Sequence, residues 1–127
     1  MAEVKRVQRP LSPHLQIYRP QLTSITSILM RITGNAMLVA VMMIVWWLVA
    51  AATGDDAFET ANGFVTSWFG DLVLTLSMLG LWYHFLGGIR HLVWLSGRAL
   101  EINTAERLGI YCLIGAPILT LLTLLLI

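Results

Sequence analysis

Three long stretches without a formally charged side chain constrain this sequence more than any other feature. They cover residues 32–52, 72–89 and 108–127, close to the roughly 20 residues that an α-helix needs to cross a membrane. Hydrophobic residues make up 57% of the 127 residues and charged residues only 12%, unlike an average soluble domain. The sequence therefore predicts an all-α integral membrane protein with three transmembrane helices.

We expect the whole chain, residues 1–127, to form one transmembrane domain, because three spans leave few residues for anything else. The pattern predicts an N-terminal arm over 1–22 and helices over 23–52, 68–97 and 106–127. Three hydrophobic helices enclose little interior. We therefore expect them to pack in a bundle with helices of a partner protein.

The charged residues predict an orientation in the membrane. The segments before the first span and between the second and third spans contain Lys5, Arg6, Arg9, Arg19, Arg98 and Arg107. The segment between the first and second spans has four acidic residues and neither lysine nor arginine. Because loops rich in lysine and arginine stay in the cytoplasm, the N-terminus is predicted to be cytoplasmic and the C-terminus to lie outside.

The remaining composition gives no sign of other chemistry. Cys112 is the only cysteine, so it cannot form an internal disulfide, and we expect it to be a small buried hydrophobic residue. A formal net charge of +1 gives no reason to expect a nucleic-acid partner. Prolines rather than a short apolar run follow the basic N-terminal segment, so we expect no cleavable signal peptide.

A histidine lies inside the second uncharged stretch. His84 is followed by Gly88 one turn later and by His91 two turns later, so the three positions share a helix face. Ionisable residues in a span are candidates for functional sites, and an imidazole beside a glycine can receive a large flat cofactor. Helix packing is the other interpretation, because small residues let helices approach and a polar side chain can hydrogen-bond across the contact. The spacing alone leaves both interpretations open.

A second polar group lies at the entry to the first span. Ser27 and Arg31 are one turn apart and therefore share a face. An arginine here either extends to the cytoplasmic interface or faces an inner cavity. In a cavity, a hydroxyl and a guanidinium can bind a carbonyl or a propionate group. By the predicted topology, Arg31 and His91 both lie towards the cytoplasmic side, and His84 lies deeper.

Two motifs occur in a specific order along the chain. The first is Arg9-Pro10-Leu11-Ser12-Pro13-His14-Leu15 with the later Ser27-x-x-x-Arg31-x-Thr33-Gly34, and the second is His84-x-x-x-Gly88-Ile89-Arg90-His91-Leu92-x-Trp94. Together they resemble the signatures of the cytochrome b membrane-anchor subunit of succinate dehydrogenase, respiratory complex II. Length, number of spans and motif spacing also agree, so the resemblance covers essentially the whole chain.

The resemblance implies a subunit of a four-subunit oxidoreductase in the inner membrane of a bacterium. In that family a flavoprotein subunit and an iron–sulfur subunit oxidise succinate on the cytoplasmic side. Two small membrane subunits bind one haem b between them and form the site where ubiquinone is reduced. This chain would be the larger of these two anchors, with its C-terminus on the periplasmic side, and it would have no catalytic residue of its own.

The resemblance also implies roles for individual residues. His84 matches the axial ligand of the haem iron, and the second ligand would come from a histidine of the partner anchor. Gly88 matches the packing surface beside the haem, and His91 and Arg31 match groups near the haem propionates. Ser27 and Arg31 match the quinone-binding pair.

Elementary chemistry agrees with these roles. Two neutral imidazoles leave no open position on the iron, which suits electron transfer rather than oxygen chemistry. A hydroxyl and a guanidinium can hold quinone oxygens as negative charge develops on them. Arginine stays protonated in proteins, so Arg31 cannot be the proton donor, and water or a partner group is expected to deliver protons.

Two positions depart from the family pattern. Met30 stands where the family commonly has a histidine, so any contact of that imidazole with haem or quinone is absent or supplied by another group. Leu95 stands where the family usually has an acid, which removes a carboxylate that could pair with Arg90. Arg90 then needs a partner in the iron–sulfur subunit, in an acidic partner residue or in a lipid phosphate, and the sequence does not decide between them.

His14 lies in a proline-bounded arm, where we expect a surface or interface histidine rather than a second haem ligand. We expect this arm to pack against the iron–sulfur subunit.

Two other functions of the chain stay open. One is a haem-free structural anchor in which His84 forms an interhelical hydrogen bond. The other is a small transporter that uses membrane histidines for proton relay, although the chain shows no repeat or broken-helix pair.

Overall fold

The computed structural model describes residues 10–12 and 14–126, and these residues form four α-helices. The helices are α1 (Leu22–Thr53), α2 (Asp55–Val65), α3 (Trp68–Leu95) and α4 (Ile102–Leu126). No strand occurs among the described residues, so the predicted all-α class is confirmed. The basic residues before Pro10 that contributed to the predicted orientation lie outside the described residues.

Three of the helices, α1, α3 and α4, are long and apolar enough to cross a membrane, in agreement with the three predicted spans. The 32 residues of α1 correspond to about 48 Å, which exceeds the ~30 Å thickness of a hydrocarbon core. α1 therefore has turns to spare at its ends. α4 begins at Ile102, four residues before the predicted start of the third helix.

The prediction of three helices was incomplete, because the segment between the first two spans forms α2. Gly54 has a φ of 147°, and this backbone conformation separates α1 from α2. Asp55 and Asp56 occupy the first turn of α2, where carboxylates interact favourably with the helix dipole. The Trp47 indole of α1 donates a 3.1 Å hydrogen bond to Asn62 Oδ1 and so holds α2 against α1.

The connection from α2 to α3 is a close turn. Ser67 caps α3, and its hydroxyl oxygen accepts a 3.2 Å hydrogen bond from the backbone N–H of Gly70. Gly70 is buried, and a Cβ at this position would collide with the carbonyl oxygens of Val65 and Phe64. A residue without a side chain therefore allows the end of α2 to lie against the first turn of α3.

The core of the bundle is small because its helices meet through small side chains. α3 packs against both α1 and α4, and α1 also contacts α4. Tyr83, Cys112 and Ala116 form the buried cluster, so Cys112 is buried as expected. Gly80 of α3 lies 3.8 Å, measured from an ideal Cβ, from the side chain of Thr33 on α1. Small residues at such contacts are typical of helix packing in membranes.

Most of the large apolar side chains point away from this core. Exposed examples on the spanning helices are Leu38, Val41, Met42, Leu81, Phe85, Ile114, Leu121 and Leu125. Such an outer surface is suited to lipid chains and to further helices, and it is far more apolar than the surface of a soluble protein.

Candidate functional site

Two adjacent stripes run along α3, and they face different surroundings. The first contains Gly80, Tyr83, Gly87 and Arg90, all buried against α1 and α4. The second is displaced by one residue and contains the predicted site residues His84, Gly88 and His91. Its members are half-buried or exposed, so this stripe lies at the edge of the bundle.

The imidazole of His84 is oriented by α1. Its Nδ1 atom lies 3.2 Å from the carbonyl oxygen of Met30. A carbonyl oxygen only accepts hydrogen bonds, so the contact requires the proton on Nδ1, and in the neutral ring this tautomer has its lone pair on Nε2. Gly34 lets the ring lie on α1, since an ideal Cβ at this position would be 3.0 Å from His84 Cε1. The arrangement leaves one ring nitrogen able to bind a metal.

An open cavity of about 620 Å³ lies between the N-terminal part of α1 and the C-terminal part of α3. This volume falls within the range of about 300–1,000 Å³ that is typical of ligand sites. Four predicted site residues line it, namely Ser27, Arg31, Gly88 and His91. His84 itself is not among the lining residues, but its hydrogen-bond partner Met30 is.

The cavity is basic and has room beside the second stripe of α3. Arg31 and Arg90 are both among its lining residues, so two positively charged residues border one space. No atom of another part of the described chain lies within 4 Å of an ideal Cβ at Gly88. The surroundings therefore offer a positive potential and an uncovered glycine surface, which together suit a flat ligand with acidic substituents.

The N-terminal arm reaches the same end of the bundle. Tyr18 donates a 3.0 Å hydrogen bond from its hydroxyl group to Ser24 Oγ, and Ser24 lines the cavity. His14 is exposed within a turn, where its carbonyl oxygen accepts hydrogen bonds from the backbone N–H groups of Ile17 and Tyr18. The arm therefore lies near the cavity, whereas nothing in its contacts brings the His14 ring into it.

The two departures from the family pattern have different surroundings. Met30 packs on Gly87, where an ideal Cβ would be 2.6 Å from its Sδ atom, and it lines the cavity. A thioether therefore contributes to the cavity wall at the position where the family pattern has an imidazole. Leu95 is 71% exposed at the end of α3 and is not among the residues that line the cavity.

Sequence reasoning missed the buried polar group behind the cavity. Arg90 is only 6% exposed and donates from Nη1 to Thr26 Oγ1 at 3.0 Å. The sequence does contain a pattern that could have indicated the burial of Arg90. Gly80, Tyr83, Gly87 and Arg90 recur every three to four residues, and two of them are glycines. Such a pattern predicts a packing face.

The chain matches a known protein family over nearly its whole length. Residues 5–124 match the family described as the succinate dehydrogenase/fumarate reductase transmembrane subunit. The chain belongs to this family. The resemblance seen in the sequence motifs is thereby confirmed.

Individual relatives agree with this assignment over nearly their full lengths. The succinate dehydrogenase cytochrome b556 subunit of Paracoccus denitrificans is 50% identical over 124 residues, which cover 98% of this chain and 95% of the relative. The b556 subunit of Rickettsia conorii is 36% identical over 115 residues, covering 91% and 90%. The cytochrome b560 subunit of Marchantia polymorpha is 36% identical over 125 residues, covering 92% and 89%.

Membership in the family relates the geometry to an oxidoreductase complex. The chain is a membrane subunit of such a complex, and its three apolar helices supply the membrane-spanning part. Among the described residues, the half-buried imidazole of His84 and the basic cavity are the candidates for chemistry beyond helix packing. Both are located where α1 and α3 meet.

Proposed function

We propose that this chain is the cytochrome b membrane anchor of succinate dehydrogenase, that it binds haem b together with a second small anchor, and that it forms part of the ubiquinone-reduction site. Electrons from succinate oxidation would pass through a flavoprotein subunit and an iron–sulfur subunit to ubiquinone. The cytochrome b556 and b560 names of its relatives support this proposal. The chain would connect the tricarboxylic acid cycle with the respiratory chain.

The observation that carries the haem proposal is the hydrogen bond between His84 Nδ1 and the carbonyl oxygen of Met30. It fixes the tautomer in which Nε2 can bind iron, and metal-binding histidines commonly donate their other N–H in this way. When bound, haem b would supply one-electron transfer, and a histidine of the partner anchor would provide the other iron ligand. His84 would be the metal ligand of this chain.

The surroundings of His84 fit a haem. The uncovered surface at Gly88 offers packing space on the same face of α3. Arg31 and His91 line the basic cavity, which adjoins this face at Gly88. These two residues would hold the haem propionates. Hydrogen bonds from a guanidinium to a carboxylate are strong because both groups are charged.

The quinone proposal rests on the pairing of Ser27 and Arg31 in the cavity wall. Their hydroxyl and guanidinium groups can donate hydrogen bonds to a quinone carbonyl, and the fixed charge favours the negative charge that develops on reduction. Arg31 would keep its proton, so protons must come from water or from a partner subunit. The chain would contribute binding and electrostatics, but no catalysis by itself.

We also propose that the N-terminus is cytoplasmic and the C-terminus periplasmic in the inner membrane of a bacterium. The basic residues before α1, together with Arg98 after α3 and Arg107 near the start of α4, support this orientation. It would place the cavity at the cytoplasmic end of the helices, beside the flavoprotein and iron–sulfur subunits. The partner anchor would cover the second stripe of α3, which lies at the edge of the bundle.

The haem spectrum of the purified complex tests the proposal. We expect a low-spin haem spectrum in the wild type and its loss in His84→Leu, because leucine removes the imidazole ligand while keeping an apolar side chain. His14→Leu is the matched control, since this histidine is exposed on the arm, and its spectrum should equal that of the wild type. An unchanged spectrum in His84→Leu would refute the ligand assignment.

A haem-free structural anchor is the second candidate function. The same hydrogen bond favours it, because a bond from His84 on α3 to Met30 on α1 is an interhelical contact that stabilises the bundle without any cofactor. Complex purified with all its subunits but without a haem absorption spectrum would establish this candidate in place of the first.

A further inference from the structure

Arg90 has an unusual position for an arginine in a membrane-spanning helix. Its side chain is 6% exposed and points into the three-helix bundle rather than extending along the helix to the interface. Nη1 donates to Thr26 Oγ1 at 3.0 Å, and the guanidinium carbon lies 4.7 Å from the centre of the Trp94 ring. The sequence did not decide which group pairs with Arg90, and the structure shows that two of its contacts, Thr26 and Trp94, belong to this chain.

The bundle is shaped around this guanidinium. An ideal Cβ at Gly109 on α4 would be 3.1 Å from Arg90 Nη1 and 3.2 Å from Thr26 Cγ2, so a side chain there would crowd the pair. Thr26 is fully buried, and its carbonyl oxygen accepts a 2.9 Å hydrogen bond from the Tyr83 hydroxyl. Residues from α1, α3 and α4 therefore converge on one charged group.

The positive charge of Arg90 is not neutralised by these contacts. The Thr26 hydroxyl and the Trp94 ring are uncharged, and Nε of Arg90 is buried without a hydrogen-bond partner among the described residues. Arginine stays protonated in proteins, and a buried unpaired charge is costly to maintain. Arg90 also lines the cavity, so its field acts on whatever the cavity and the adjoining face of α3 hold.

We propose that Arg90 is a positioning residue that keeps a fixed positive charge behind the cavity wall and thereby makes reduction of the haem at His84 more favourable. This inference rests on the proposed function. In the reduction step, one electron passes from the reductant to ferric haem and gives ferrous haem, with no bond formed or broken. The reductant is the iron–sulfur subunit in the enzyme and dithionite in a titration.

The expected size of the effect follows from Coulomb's law. Arg90 follows His84 by six residues, which is a rise of about 9 Å along α3. The two residues also lie on different stripes of α3, so we take a separation of about 12 Å. At an effective dielectric constant of ~20, a unit charge at this distance changes a one-electron equilibrium by about tenfold. Removal of the Arg90 charge should therefore shift the equilibrium between ferric and ferrous haem about tenfold towards the ferric form.

A redox titration of the haem in the purified complex tests the proposal. Arg90→Gln should lower the reduction equilibrium constant about tenfold, which corresponds to about 59 mV in midpoint potential. Arg90→Lys keeps the charge, and Arg98→Gln removes the same charge from an exposed site beyond α3, so both should stay close to the wild type. The proposal is wrong if Arg90→Gln leaves the potential unchanged or if either comparison variant shifts it equally.

A second pair of variants keeps the test decisive if Arg90→Gln does not assemble. Thr26→Asp places a carboxylate beside the intact guanidinium and should lower the potential, whereas the nearly isosteric Thr26→Asn should not. Equal potentials in this pair would overturn the proposal. Wild-type complex without haem would instead refute the proposed function, so the two failures are distinguishable.

Discussion

Single residues at the cavity divide into those that are open to a ligand and those that orient another residue. Ser27 and Arg31 belong to the first kind, because both are exposed in the chain alone and line the cavity. Gly34 and the Met30 carbonyl oxygen belong to the second, because they determine where the His84 ring lies. Substitutions in the two groups should therefore alter different measurable properties.

Arg31→Ala should impair quinone reduction by about 10²–10³-fold, the loss commonly seen when a donor to a developing negative charge is removed. Succinate oxidation with a soluble artificial acceptor should be nearly unchanged, because that reaction does not need the cavity. Both rates can be measured on the same purified complex.

Arg98→Ala is the control for this substitution. It removes an equally charged and exposed side chain that is not among the cavity-lining residues, and it should leave both rates unchanged. Equal losses of the two activities in Arg31→Ala would show that Arg31 acts in assembly rather than in quinone binding.

The site at the residue level was only partly predictable. The spacing of His84, Gly88 and His91 follows from helix geometry, so their common face could be derived from the sequence. The acceptor for His84 Nδ1 could not, because the Met30 carbonyl oxygen belongs to another helix and every residue has a carbonyl group. The burial of Arg90 depends likewise on Gly109, which is on a third helix.

Among the helices, α2 and its junction with α3 show how a short element is held in place. α2 has 11 residues, too few to be stable alone in water, so its contacts with α1 are needed. The Trp47–Asn62 hydrogen bond and the Trp47–Phe58 ring pair, with ring centres 5.6 Å apart, supply such contacts. These partners are 15 and 11 residues apart in sequence, so the packing of α2 against α1 could not be derived from a local pattern.

Gly70→Ala should destabilise the junction by about 1–3 kcal/mol, the usual cost of inserting atoms into a packed interior. The new Cβ would meet backbone carbonyl oxygens of Val65 and Phe64, which cannot move aside as a flexible side chain can. The unfolding midpoint of the purified complex in detergent, Tm, should fall.

The matched substitution is Gly63→Ala in α2. No atom of another part of the described chain lies within 4 Å of an ideal Cβ there, and alanine is a better helix former than glycine by about 0.5–1 kcal/mol. Its Tm should equal or exceed that of the wild type. A Gly70→Ala complex as stable as Gly63→Ala would contradict the proposed close turn.

At the scale of the whole molecule, the described residues present an apolar outer surface and a basic cavity, and the orientation in the membrane decides which side that cavity faces. Cysteine labelling can determine the orientation. With the N-terminus in the cytoplasm, Asp56→Cys should react with a membrane-impermeant maleimide in intact cells, because the connection between α1 and α2 would lie outside. Asn103→Cys, at the start of α4, should react only after permeabilisation.

The native cysteine serves as the background control for this labelling. Cys112 is buried in the bundle, so the wild-type chain should stay unlabelled in both conditions. Labelling of Asn103→Cys in intact cells, without labelling of Asp56→Cys, would reverse the proposed orientation and would move the cavity to the opposite side of the membrane.

The sequence by itself determined the all-α class, the three spans and the common face of His84, Gly88 and His91. It could do so because hydrophobic length and helical periodicity are local properties of a chain. Only the tertiary structure decided how α2 is held against α1, the hydrogen bond that orients His84 and the burial of Arg90. These depend on how each helix is rotated towards its neighbours, and that rotation is set by contacts between residues distant in sequence.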